Sequence, residues 1–162
     1  MEALNPQDVQ KALDQFNLGI QVRFFSESTA TSELAAAAIG WVVGQIAKSI
    51  CIMVDERPIL AVTSGDQRVD LKKIAALHEV SNKRVRMANA EECISIYGYA
   101  PGGVPPLGHR TVGLAVLLDS NLQRYPTIYG AAGSADSIFP IQIEHLPLIT
   151  GGRFADFTKD PT

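Results

Sequence analysis

For twelve residues, Gly98-Tyr-Ala-Pro-Gly-Gly-Val-Pro-Pro-Leu-Gly-His109, this chain can continue neither a helix nor a strand. The stretch holds four of the thirteen glycines and three of the nine prolines. Proline fixes φ and removes a donor, whereas glycine permits φ > 0 and close approach of another molecule to the backbone. A loop so built keeps a chosen shape and exposes N–H and C=O groups rather than side chains. It suits a small polar ligand held by main chain, and it suits a sharp connection between a helix and a strand. The rest of the chain must decide between the two.

At 162 residues the chain is long enough for one domain, 1–162, with a real core. Hydrophobic content of 46% and 19% charged residues describe an ordered globular protein. No apolar run approaches the ~20 residues that span a bilayer, and Met-Glu-Ala-Leu-Asn-Pro lacks the regions of a signal peptide. A cytoplasmic protein with no membrane partner is expected. Cys51 and Cys93 form no CxxC or zinc pattern and are expected to be reduced and buried. A net charge of −3 argues against a general nucleic-acid coat protein. Lys72, Lys73, Lys83, Arg84 and Arg86 nonetheless crowd together, either as a solvated face or as a phosphate site.

Asn5-Pro-Gln-Asp8 predicts a capped first helix with Val9, Leu13 and Phe16 as its stripe, ending by Gly19. Ile20 to Phe24 alternates as a strand, and Thr31 or Ser32 caps a second helix that stops at Gly40. A turn over Val42–Lys48 leads to an apolar strand, Ser49–Val54, which pairs through Asp55–Pro58 with Ile59–Thr63. A helix over Asp70–Leu77, a strand over Lys83–Met87 and a helix from Asn89 to Gly98 precede the loop. Strands over Val112–Leu118, Thr127–Ala131 and Ile138–Ile143 follow, with a short helix near Glu144–Ile149. Hairpin spacings without regular βαβ alternation predict an α+β fold, with a mixed, largely antiparallel, curled sheet and helices around it.

Among the polar residues, Lys48 leads into an apolar strand, so it either projects its ammonium into a cleft or snorkels at a strand edge. His78, His109 and His145 lack ligand spacing. His109 closes the loop, which leaves acid–base work, substrate contact and a bracing hydrogen bond open. Cys51 in a strand and Cys93 in a helix lack an electropositive setting. There is no G-x-S-x-G elbow, Walker loop or G-x-G-x-x-G turn.

Several segments in order, Thr31–Ala35, Gly44-Gln-Ile-Ala-Lys-Ser49, Ser64-Gly-Asp66 with Val69–Lys73, Gly98–His109 and Gly130–Ser134, resemble the YbaK-type aminoacyl-tRNA deacylases. These are relatives of the editing domain associated with prolyl-tRNA synthetase, and the resemblance covers nearly the whole chain. It implies a barrel-like α/β fold, no metal or organic cofactor, and hydrolysis of the ester of mischarged tRNA. Met1 and the single-domain length lead to the expectation of a free-standing trans-editing hydrolase rather than a synthetase insertion. Its partners would be the 3′ aminoacyl end of that tRNA and, as a further candidate, an aminoacyl-tRNA synthetase. Carried over by position, Lys48, Gly102 and Gly103 are the catalytic candidates. Ser49, Gly65, Val104, Pro105, Pro106, His109, Gly133 and Ser134 are the substrate-binding ones. Val104-Pro-Pro106 and the closing His109 depart from some members, which leaves the edited amino acid open. A noncatalytic module for tRNA ends, nucleotides or a synthetase is the competing reading, and a small-molecule esterase a third.

Overall fold

In the computed structural model, which describes residues 1–161, Asn5 opens helix α1 (Pro6–Asp14). Its Oδ1 accepts from the Gln7 and Asp8 amides at 3.0 and 3.3 Å, and the Asp8 carboxylate accepts from the Asn5 amide at 2.9 Å. Ile20–Phe24 contributes only a short strand, β1 (Arg23–Phe24), paired with Ile138 and Ser137. Thr31 Oγ1 accepts from the Leu34 amide to start α2 (Ser32–Ile39), and Gly40 at φ +73° ends it.

After one 3-10 turn at Val43–Gln45, strand β2 (Ile46–Val54) begins at Ile46 rather than Ser49. Lys48 and Ser49 therefore lie inside a strand. Asp55 and Glu56, both with positive φ, form the two-residue turn into β3 (Arg57–Ser64). Asp70 caps α3 (Leu71–Leu77) through the Lys72 amide at 3.0 Å. β4 (Val85–Met87) starts later than the alternation predicts, because Asn82–Arg84 winds into a 3-10 turn. Helix α4 (Ala90–Glu92) runs on as a π turn, Cys93–Tyr97, to Gly98 at φ +103°.

The strand expected from Val112 starts only at Ala115: Gly113 takes φ +77°, and Val112 is 96% exposed. This strand is β5 (Ala115–Asp119), followed by β6 (Thr127–Ala131), β7 (Ser137–Gln142), α5 (Leu146–Thr150) and β8 (Arg153–Ala155). No sequence signal marks β8.

The strands join in the order β1-β7-β6-β2-β3-β5-β8, with β4 also on β2. Pairs β1–β7, β2–β3, β2–β4 and β6–β7 are antiparallel, and β2–β6, β3–β5 and β5–β8 are parallel. The sheet is thus mixed and mostly antiparallel, as expected. Alternation along its central strands separates two cores. Cys51, Leu60, Val62 and Leu118 pack with Val9, Leu13 and Phe139, whereas Ile52, Ile59, Ala61 and Leu117 pack with Ile74 and Phe157.

The pairing of β2 creates the site. Strand β6 meets β2 at Ile46 and Ala47, and β4 meets it at Ile52–Val54. Between them, residues 48–51 have no strand beside that edge of β2.

Candidate active site

A cavity of about 250 Å³ occupies this break in the sheet. Strand β2 supplies one wall from Ile46 to Cys51, and the entry to α2 supplies another from Thr29 to Ser32. Met87, Ala88, Cys93 and Ala131 contribute further contacts, and Pro101, Gly102 and Val104 bring in the front of the Gly/Pro loop.

Lys48 is exposed and lies opposite Thr63 in the hairpin. It makes no ion pair among the described residues. Ser32 and Ser49 also line this cavity, and their hydroxyls are buried with no hydrogen-bond partner among the described residues, that of Ser32 lying against Gly65. Leaving a buried hydroxyl unpaired costs about 1–3 kcal/mol. Two such groups beside one cavity are donors and acceptors that no described residue uses. In the sequence, Ser49 is marked by its neighbour Lys48. Ser32 has no role there beyond an alternative cap, and since Thr31 does the capping, the Ser32 hydroxyl is left free.

The loop's two sides do different things. Gly102, at φ +90°, stands at the cavity against Ala30, where an added Cβ would lie 3.1 Å from the Ala30 Cβ. The Gly102 and Val104 amides donate no hydrogen bond to another described residue. Behind them, the Gly103 carbonyl accepts from the Gly133 amide at 2.9 Å, and a Cβ on Gly103 would lie 2.8 Å from the Ser134 nitrogen. The loop is therefore keyed into the β6–β7 turn by backbone contact.

Residues 26–147 match the family described as the aminoacyl-tRNA editing domain. The chain belongs to that family. It is 30% identical to the "Putative Cys-tRNA(Pro)/Cys-tRNA(Cys) deacylase EbsC" of Enterococcus faecalis, over 83% of this chain and 80% of that one. It is 32% identical to the "Uncharacterized protein YwhH" of Bacillus subtilis, over 94% and 96% of the two chains. A solved structure described as a "putative trans-editing enzyme for prolyl tRNA synthetase" superposes with a TM-score of 0.88 at 35% identity, covering 96% of this chain and 97% of the other.

In this editing domain Lys48, Ser49, Gly102 and Val104 line the cavity, and the other sequence-predicted residues do not. Gly103, Gly133 and Ser134 form the junction behind the loop. Pro106 packs on Gly130, at which a Cβ would come within 3.2 Å of the proline ring. Pro105 accepts a hydrogen bond through its carbonyl from His109 Nε2 at 2.7 Å, so that nitrogen carries the proton. The His109 ring stands edge-on to Tyr97 and Tyr99, and desolvation lowers its pKa. Its geometry is that of a brace.

Gly65 lies behind the α2 wall, where a Cβ would meet the Ser32 side chain at 2.7 Å. Its turn is held by Asp66, whose carboxylate accepts from Arg124 at 2.8 Å and is kept below the ordinary carboxylate pKa by that guanidinium.

Cys51 and Cys93 both reach the cavity as free, buried thiols. Burial pushes both pKa values up, so neither is poised as a thiolate nucleophile. No described helix is long and apolar enough to cross a membrane.

Proposed function

We propose that this chain hydrolyses the ester between a wrongly attached amino acid and the 3′-terminal ribose of tRNA. The observation that carries the reading is the pair of unpartnered buried hydroxyls, Ser32 and Ser49, in a cavity with the exposed Lys48 beside them. At about 250 Å³ the cavity is below the usual 300–1,000 Å³ of small-molecule sites, which suits the aminoacyl end of a larger substrate.

Lys48 takes the terminal phosphate or ribose as a point charge. Ser32 and Ser49 hold the α-amino group or the attacking water, and the Gly102 and Val104 amides face the oxygen on which negative charge develops. The nucleophile, water or a group of the amino acid itself, adds to the ester carbonyl. With water as nucleophile, the tetrahedral adduct expels the ribose oxygen, which takes the proton that water gives up, and the free amino acid departs. With a side-chain group of the amino acid as nucleophile, that group's proton goes to the ribose oxygen and the cyclised amino acid departs. An aminoacyl ester is labile enough that orientation and oxyanion stabilisation suffice. Gly65, Gly103, Pro105, Pro106, His109, Gly133 and Ser134 act by positioning the walls.

The relative named for Cys-tRNA makes cysteinyl-tRNA the first substrate to try, and the small walls Ala47, Ala88 and Ala131 fit a short side chain. The test is release of amino acid from a panel of mischarged tRNAs, with cysteinyl- and alanyl-tRNA(Pro) foremost. Wild type should turn over at least one, and Lys48→Ala should slow it about 100-fold or more, the scale of losing one charge-stabilising donor. No turnover across the panel overturns the reading, and binding without release would favour a noncatalytic module.

A further inference from the structure

A second cavity, about 490 Å³, lies across Lys48 from the first and shares Lys48, Ile50 and Met87 with it. The fold brings three more cations there. The C-terminal segment pairs antiparallel with the approach to α3 through a Val69–Thr158 bridge, and the Lys159 amide donates to the Arg68 carbonyl at 2.8 Å. Arg68 and Lys159 are thereby neighbours, and Lys72 joins them from the first turn of α3.

These three are exposed, and none makes an ion pair with a described acid. Ten of the fourteen lysines and arginines make no ion pair among the described residues, and four of the ten, Lys48, Arg68, Lys72 and Lys159, line this one groove. Lys73 is held by Asp156 and Asp160, Arg84 by Asp55, Arg86 by Glu56 and Glu92, and Arg124 by Asp66. The one acid lining the groove, Asp70, accepts from the Lys72 amide. In a chain of net charge −3, the groove that opens beside Lys48 thus sets four unpaired cations against one acid. Along the groove, Ile50, Leu71 and the half-exposed Met87 supply apolar surface.

We infer that this groove holds the single-stranded 3′ end of the tRNA: Arg68, Lys72 and Lys159 take the phosphates of the nucleotides before the aminoacylated one, and Met87 and Ile50 lie against a base. The inference rests on the editing reading above and names the surface through which the substrate enters. Lys48 stands between the groove and the hydrolytic cavity, so a strand laid along the cations delivers its terminal ribose to the ester site. Cation–phosphate attraction of this kind is independent of sequence and weakens with salt.

The test compares wild type with the triple variant Arg68→Gln/Lys72→Gln/Lys159→Gln, and with Lys83→Gln as an exposed cation outside the groove. Binding of a short fluorescent RNA carrying a tRNA 3′-end sequence is followed by anisotropy from low to high salt. Turnover of mischarged tRNA and of a mischarged aminoacyl-adenosine is measured in parallel. The triple variant should bind the RNA about tenfold or more weakly. Its log–log salt slope should be shallower by about 2, since each phosphate neutralised on a single strand accounts for roughly 0.7. Its kcat/KM should fall several-fold more on tRNA than on the aminoacyl-adenosine, and Lys83→Gln should track wild type. Unchanged affinity and slope in the folded triple variant, or an equal loss in Lys83→Gln, overturns the groove. If wild type releases no amino acid yet binds the RNA through these residues, the groove stands and the editing reading falls.

Discussion

The Ser32 and Ser49 hydroxyls set folding against activity at the scale of single residues. Each is buried without a partner, so removing the oxygen should not weaken the fold. Ser32→Ala and Ser49→Ala are expected to leave the melting temperature unchanged or raise it, while lowering kcat/KM on the edited tRNA about tenfold or more. Thermal melts beside single-turnover kinetics check this, and a destabilised Ser32→Ala with normal kinetics would assign the hydroxyl to the fold instead. Ser49 was legible from sequence because it adjoins a lysine in a recognisable segment. Ser32 was not, because its burial depends on Gly65, a turn distant in sequence that packs against it. The cationic cluster read from sequence divides for a similar reason. Spacing put Lys72, Lys73, Lys83, Arg84 and Arg86 together, but acids from other segments pair with Lys73, Arg84 and Arg86, while Lys72 and Lys83 stay exposed without an ion pair among the described residues and only Lys72 lines the groove.

Among the elements, the Gly98–His109 segment is braced by a neutral imidazole. Desolvation lowers the His109 pKa while the bond to Pro105 opposes that shift, and the folded form therefore disfavours the charged ring. A group whose folded pKa is depressed contributes its stability above its unfolded value, about 6.5 for histidine, and loses it as pH falls below that. Between pH 7.5 and 5.5 the wild-type melting temperature should drop more than that of His109→Gln. At pH 7.5 the variant should be weaker by about 1 kcal/mol for the missing hydrogen bond. Parallel melting curves for the two proteins would remove His109 from the account. Glycine and proline made this loop's limits plain in the sequence. Which side faces the cavity was hidden, because a backbone contact with Gly133, made across the fold, fixes Gly103 on the β6–β7 turn and leaves Gly102 at the cavity.

Across the whole molecule, two cores clamp one sheet, and the second depends on a segment that carries little pattern of its own. Phe157 is fully buried against Ile74 and Leu117, and its carbonyl accepts from the Asp70 amide at 2.8 Å. Phe157→Ala should cost about 3–5 kcal/mol, seen as a lower urea midpoint. A loss below about 1 kcal/mol would mean that the C-terminal segment is not integral to the core. The central hairpin and the mixed sheet were legible because local turn chemistry and alternation specify them. β8 and the break beside β2 were not, since both are set by which distant strands arrive and where they stop. That break has a consequence for how such a protein can change. Lys48 is rooted in a strand pinned to three others, while much of the cavity wall comes from the entry to α2 and from the Gly/Pro loop. Under the proposed editing reading, substitutions in those two segments redirect which error is removed while the strand-borne lysine stays as it was, so one scaffold diversifies in what it rejects without relearning what it holds.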